Sequence, residues 1–127
     1  MTQEVIKPAG TGPTTTPLSP GIRANGFIFV SGQTGRSPQT GAIPEGMAAQ
    51  AKQGLENMKA VLEAGGSSMD KVVKCLVFVT DISRFGEMNE VYRTYFPSDR
   101  FPARSTVEVS SLANKDMLFE VEAIALA

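Results

Sequence analysis

The sequence predicts a fold that mixes strands with two helices, and three observations carry that reading. Residues 72–80 are almost continuously apolar, the mark of a central strand covered on both faces. From Met47 the apolar residues Ala51, Leu55, Met58 and Leu62 recur at helical spacing, and Phe85, Met88 and Tyr92 do so again. Residues 103–109 and 117–126 alternate instead, with the two-residue period of a strand. A chain of 127 residues, 42% apolar and 20% charged, builds a core without disulfides or metal staples, so residues 1–127 are read as a single domain.

In chain order, Val5-Ile6 offers a short first strand. Residues 8–20 are rich in Pro, Gly and Thr, and Pro13, Pro17 and Pro20 forbid a central strand there. Leu18, the isolated apolar residue among them, is read as a packing anchor. Residues 26–33 form a buried strand, and Asn25-Gly26 in front of it favours a tight reversal that makes residues 21–24 a hairpin arm. Ser31-Gly32 ends that strand, as a plain turn or as a place where a ligand approaches bare backbone. A polar loop over residues 36–44 leads into the first helix, which Gly65-Gly66 stops; Gln50, Lys52, Glu56, Lys59 and Glu63 lie largely opposite its apolar stripe.

In the central strand Cys75 alternates with Val73, Val77 and Val79 and reads as a small buried hydrophobe. Asp81 or Ser83 caps the second helix, Tyr95 or Phe96 completes its inward stripe, and Pro97 ends it. Asn89 falls at or near that stripe, so its amide must find partners, in a loop or in a site. After a turn at residues 113–116, the last strand places Met117, Phe119, Val121, Ala123 and Ala125 on one face. Leu118, Glu120, Glu122 and Ile124 form the other. Pairing of the last two strands as a hairpin is the expectation from sequence neighbourhood. Two carboxylates in so apolar a strand need solvent, an arginine, or protonation for function.

Arg104 stands at the entrance of the strand that follows Phe101-Pro102, on the face shared by Thr106 and Glu108. A guanidinium held there suits a two-pronged grip on a carboxylate. The plainer alternative is an edge-strand arginine in a surface ion pair. Composition narrows the chemistry further. A formal charge of −1 gives no electrostatic case for nucleic acid or an anionic membrane. The absence of histidine removes Ser-His and Cys-His nucleophile pairs and most zinc sites. Cys75, the single cysteine, fits a reducing compartment, and no signal-peptide or membrane-spanning pattern is present, so a cytoplasmic location is expected.

Several stretches together resemble the RidA/YjgF family of small imine/enamine deaminases. They are Phe29-Val30-Ser31-Gly32-Gln33, Pro38-Gln39-Thr40-Gly41, Gln53-Gly54-Leu55-Glu56-Asn57-Met58-Lys59-Ala60 and Val77-Phe78-Val79-Thr80-Asp81. Asn89-Glu90-Val91-Tyr92, Phe101-Pro102-Ala103-Arg104-Ser105 and Glu120-Val121-Glu122-Ala123-Ile124-Ala125 follow in the family's order. The resemblance implies a chorismate-mutase-like α+β fold, with a mixed sheet and both helices on one side. It also implies that the strand of residues 72–80 lies between the last two, against the hairpin expectation. A homotrimer with a central barrel and ligand clefts between subunits is implied as well.

The implied activity is hydrolysis of 2-imino acids to 2-keto acids and ammonia, with no cofactor and no metal. Arg104 stands where the family's arginine grips the substrate carboxylate, and Glu120 where a glutamate orients or activates water. Ser31, Gly32 and Asn89 match cleft-lining positions, and Thr106 falls where many members use a cysteine's backbone N–H. The chain departs from the pattern at Leu18, which occupies the place of a site tyrosine; this makes the pocket more apolar and leaves room for a specialised, aminomuconate-like enamine. The rival reading is a regulatory trimer that binds 2-keto acids without turning them over. A chaperone-like or nuclease-type role ranks below both.

Overall fold

The computed structural model describes residues 2–11 and 15–127; Met1 and residues 12–14, Pro13 among them, lie outside the described residues. In chain order the elements are β1 (Glu4–Ile6), β2 (Gly21–Ala24), β3 (Phe27–Thr34), α1 (Met47–Ala64), β4 (Val72–Val79), α2 (Phe85–Tyr92), β5 (Ala103–Glu108) and β6 (Phe119–Leu126). The strands make one sheet in the order β1-β2-β3-β6-β4-β5. Only the β4–β5 pair is parallel, so the fold is α+β with a mixed sheet.

The expected hairpin between β2 and β3 forms. Ala24 pairs with Phe27 around Asn25 and Gly26, whose φ angles of 54° and 83° suit a two-residue turn matched to strand twist. The hairpin expected over residues 103–126 does not form, because β4 lies between β5 and β6. A parallel neighbour needs a crossover, and α2 supplies it between β4 and β5. Asp81 caps a 3-10 turn over Ile82–Arg84 that leads into α2, its side chain accepting from Ser83 N at 3.0 Å. The α-helix ends at Tyr92, short of Pro97, and a second 3-10 turn carries the chain to Tyr95.

One face of the sheet meets the helices. Ile28, Val30, Cys75, Val77, Val79, Phe119, Val121, Ala123 and Ala125 are buried in one cluster with Met47, Ala51, Leu55, Met58 and Leu62 of α1 and with Met88 and Tyr92 of α2. Gln50 departs from its expected polar-face position and is 2% exposed. Its Nε2 donates to Pro44 O (3.0 Å) and Asp116 O (2.9 Å), and its Oε1 accepts from Leu118 N (2.7 Å). Burial of this amide is tolerated because three loop backbone groups satisfy it.

Gly54 lets α1 approach β6: a Cβ there would sit 2.8 Å from the Phe119 ring. Gly54→Ala therefore sets a helix-propensity gain of about 1 kcal/mol against an overpacking cost of about 1–3 kcal/mol. A net loss is expected, because Phe119 is fully buried and has nowhere to yield. A lowered urea midpoint with an unchanged slope is the readout.

Among the described residues, neither helix packs against the opposite sheet face. Leu76, Phe78 and Ile124 are half-buried, and Phe27, Phe29, Val107 and Leu126 are exposed. Residues 72–80 are thus covered on one face within the chain, not on the two that their apolar run suggests.

Candidate active site

Arg104 leaves the edge strand β5 on the helix side. Its register partner is Cys75 of β4, which is fully buried beneath the helices. There α2 supplies an aromatic seat: the guanidinium carbon lies 4.5 Å from the Tyr92 ring centroid and 5.6 Å from that of Phe85. The ion pairs among the described residues are Arg23–Glu4, Arg84–Glu87 and Arg93–Glu90. Arg104 belongs to none of them, so the surface-ion-pair alternative does not hold and its donors stay available.

Two open depressions meet at Arg104. One, of about 380 Å³, is lined by Asn89, Tyr92, Arg93, Phe101 and Pro102; the other by Ile82, Phe85 and Thr106. Asn89 is half-buried, and among the described residues its amide makes no side-chain hydrogen bond; it lines the first depression and does not tie down a loop.

Among the described residues the buried hydroxyls of Tyr92 and Thr106 also make no hydrogen bond of good geometry, although that of Tyr92 sits beside the Cys75 thiol and the Arg104 guanidinium. Burial raises the Tyr92 phenol well above its ordinary value, so it stays protonated. Burial likewise pushes the Cys75 thiol up to about 11, despite the neighbouring Tyr92 hydroxyl and Arg104 charge. Cys75 is therefore a neutral core residue at pH 7.

Val109 N donates to Val79 O at 2.8 Å. By the alternation of a strand, the N–H groups of Thr106 and Arg104 then point away from β4, toward the sheet's open edge.

Glu120 lies on the other side of the sheet. Its neighbours Phe119 and Val121 are buried under the helices, so Glu120 faces away from them, in register with Thr34 and Phe78. Between the pairs Val30–Ala123 and Gln33–Val121, the two residues Ser31 and Gly32 oppose the single residue Glu122. This β-bulge carries β3 on to Thr34, so the strand does not end at Ser31-Gly32. A Cβ on Gly32 would fall 1.9 Å from a Glu120 carboxylate oxygen, so any larger residue there would displace that carboxylate from its present position. Burial, and secondarily the like charge of Glu122, raise the Glu120 pKa above the ordinary carboxylate range.

Ser31 ties the preceding segment to the bulge. Its N–H donates to Pro20 O at 2.9 Å and its hydroxyl to Ser19 O at 2.5 Å. Leu18 follows this tether along the surface and is 52% exposed, so within the chain it is not a packing anchor. The predicted site residues thus fall into two groups. Arg104, Asn89 and Thr106 gather on the helix side, and Ser31, Gly32 and Glu120, with Leu18 nearby, gather on the other. One protomer does not bring Arg104 and Glu120 into a single cleft. Sequence reasoning placed Phe85 and Tyr92 only in a core stripe, and it passed over Arg93, although its spacing of four from Asn89 was the available signal.

The endoribonuclease L-PSP family profile matches residues 10–127. The 2-iminobutanoate/2-iminopropanoate deaminase of Salmonella typhimurium is 42% identical over 121 residues, covering 94% of this chain and 91% of the relative. The chain belongs to the RidA/YjgF family. Another RidA/YjgF relative, a RutC family protein of Pyrococcus horikoshii, is 46% identical over 126 residues, covering 98% of this chain and 94% of its own. Within the same family, the crystal structure of Escherichia coli TdcF with bound serine matches with a TM-score of 0.89 at 37% identity, over 98% of both chains. Among the described residues of this RidA/YjgF chain, no helix is long and apolar enough to cross a membrane.

Proposed function

We propose that this RidA/YjgF protein hydrolyses reactive 2-imino acids, and their enamine tautomers such as 2-aminoacrylate, to 2-keto acids and ammonia. The carrying observation is Arg104: a half-buried guanidinium seated on two rings, without a carboxylate of its own, at the meeting point of two depressions. Such a group fixes a substrate carboxylate by charge-assisted hydrogen bonds. The outward N–H of Thr106 and the free amide of Asn89 add neutral donors beside it. The 42% identity to a named 2-iminobutanoate/2-iminopropanoate deaminase supports the substrate class.

The chemistry asks little of the protein. A protonated imine carbon is already electrophilic, so water adds to it once a base removes a proton. Glu120 is that base in our reading. The adduct then expels ammonia, and R–C(=NH2⁺)–COO⁻ with H2O becomes R–CO–COO⁻ with NH4⁺.

Because Arg104 and Glu120 lie on opposite sides of the sheet, we infer that the cleft closes between subunits, the helix-side group of one protomer meeting the bulge-side group of its neighbour. The exposed Phe27, Phe29, Val107 and Leu126 make an apolar face that assembly would cover. A homotrimer with that face lining a central barrel is the arrangement we propose. Leu18, exposed beside the bulge, then becomes an apolar wall where a tyrosine would offer a hydroxyl, which favours the specialised-enamine variant of the same reaction.

The test is release of ammonia or keto acid from 2-aminoacrylate and 2-iminobutanoate generated in place by a dehydratase or oxidase. Acceleration over the uncatalysed rate is expected, with a solution mass of three chains. No acceleration of either substrate overturns the general deaminase reading, and a monomeric mass overturns the shared cleft.

The pH profile gives a sharper check. A base works only when ionised, so activity falls as pH drops through the Glu120 pKa. That limb should lie above the ~4.3 of an ordinary glutamate. Glu122→Gln removes the neighbouring like charge and should move the acid limb of kcat/KM to lower pH. A limb that stays in place shows that Glu120 is not the titrating base.

A further inference from the structure

Arg93 continues the helical register of α2, with φ −61° and ψ −23°, and stands one turn after Asn89. Both residues line the depression on which Arg104 opens. That single depression therefore carries two guanidinium groups. Arg104 has no carboxylate partner among the described residues. Among the described residues Arg93 pairs with Glu90, three residues earlier, at 3.4 Å, with the two side chains 55% and 76% exposed. A pair so exposed contributes little and yields readily to a competing carboxylate. Phe101 and Pro102 supply apolar wall in the same depression, suited to a short carbon chain.

We propose that the site takes a dicarboxylic 2-imino acid, with Arg104 holding the carboxylate beside the imine carbon and Arg93 the distal one. This rests on the reading of Arg104 as carboxylate anchor, and it assigns to Arg93 the contact with a distal carboxylate, such as an aminomuconate-like enamine carries, that the deaminase reading leaves open. Turnover is unchanged in kind: water adds at the imine carbon, ammonia leaves, and the distal carboxylate takes no part.

The experiment titrates the full-length protein at low salt with 2-oxoglutarate and 2-oxobutanoate, the keto products of a dicarboxylic and a monocarboxylic imine. The wild type should bind 2-oxoglutarate about tenfold more tightly, the value of one charge-assisted contact. Arg93→Ala should bring the affinity ratio near one, and Glu90→Gln, which frees Arg93, should raise it. Added salt should shrink the ratio, because Arg93 is solvent-exposed. Equal affinities in the wild type, or a preference that survives Arg93→Ala, overturn the proposal. An Arg93-dependent preference in a protein that turns over no imine supports the dicarboxylate site while sinking the hydrolase reading. Unaltered 2-oxobutanoate affinity in Arg104→Ala removes the anchor, and with it both.

Discussion

Arg104→Ala is expected to lower kcat/KM for 2-iminobutanoate by about 10²–10⁴-fold. The guanidinium has no acidic partner among the described residues, so its donors are free to make two bonds to one carboxylate. Hydrogen bonds to charged groups contribute about 1.5–3 kcal/mol each, and two of them convert to that range. Arg104→Lys keeps the charge but loses the planar fork, and should recover only part of the loss. The fold should survive both changes. Arg104 sits on an edge strand, and the rings beneath it stay anchored through Tyr92, which is 4% exposed. Steady-state kinetics beside 2-oxobutanoate titration provides the check. Wild-type-like binding by Arg104→Ala would remove the carboxylate anchor from the mechanism.

Glu120→Gln should separate chemistry from binding. Loss of a general base lowers kcat by about 10²–10⁴-fold, while affinity for 2-oxobutanoate should stay within about threefold of wild type. Stability should move the other way. The folded-state pKa of Glu120 is raised, so stability is lost as pH climbs from the unfolded value through the folded one. At neutral pH the native protein carries the cost of an ionised, partly buried carboxylate, which the amide removes. An equal or higher Tm together with lost turnover would mark Glu120 as held for function. Retained turnover would show that Glu120 is not the base. Binding of 2-oxobutanoate with no turnover by the wild type would instead leave the rival reading, a trimer that holds keto acids without altering them.

Much of this was legible in the sequence because it depends on local periodicity. The alternation of residues 117–126 sorts Phe119 and Val121 from Glu120 and Glu122, and the structure buries the first pair while leaving the carboxylates on the far face. Arg104 was legible for the same reason, together with Pro102 before it. The features that were not legible are non-local. Gln50 looks like a surface residue until Pro44, Asp116 and Leu118 surround it with backbone partners. The opposite orientation of Arg104 and Glu120 follows only from registers that cross β5, β4 and β6. Two adjacent strands prefer a hairpin until a third, earlier strand claims the space between them.

The placement of β6 also bears on how the chain reaches this structure. β6 is the strand that joins β3 to β4; without it the sheet separates into β1-β2-β3 and β4-β5. It pairs at one end with β3, almost the whole described chain away, as in the pairing of Phe27 with Leu126. Each half waits with an open, apolar strand edge until the last-made strand arrives to close both at once. Pairing across so long a stretch of chain is expected to slow folding, as it does for small domains rich in non-local contacts. A sheet lacking β6 would leave the edges of β3 and β4 bare, and bare strand edges are templates for aggregation.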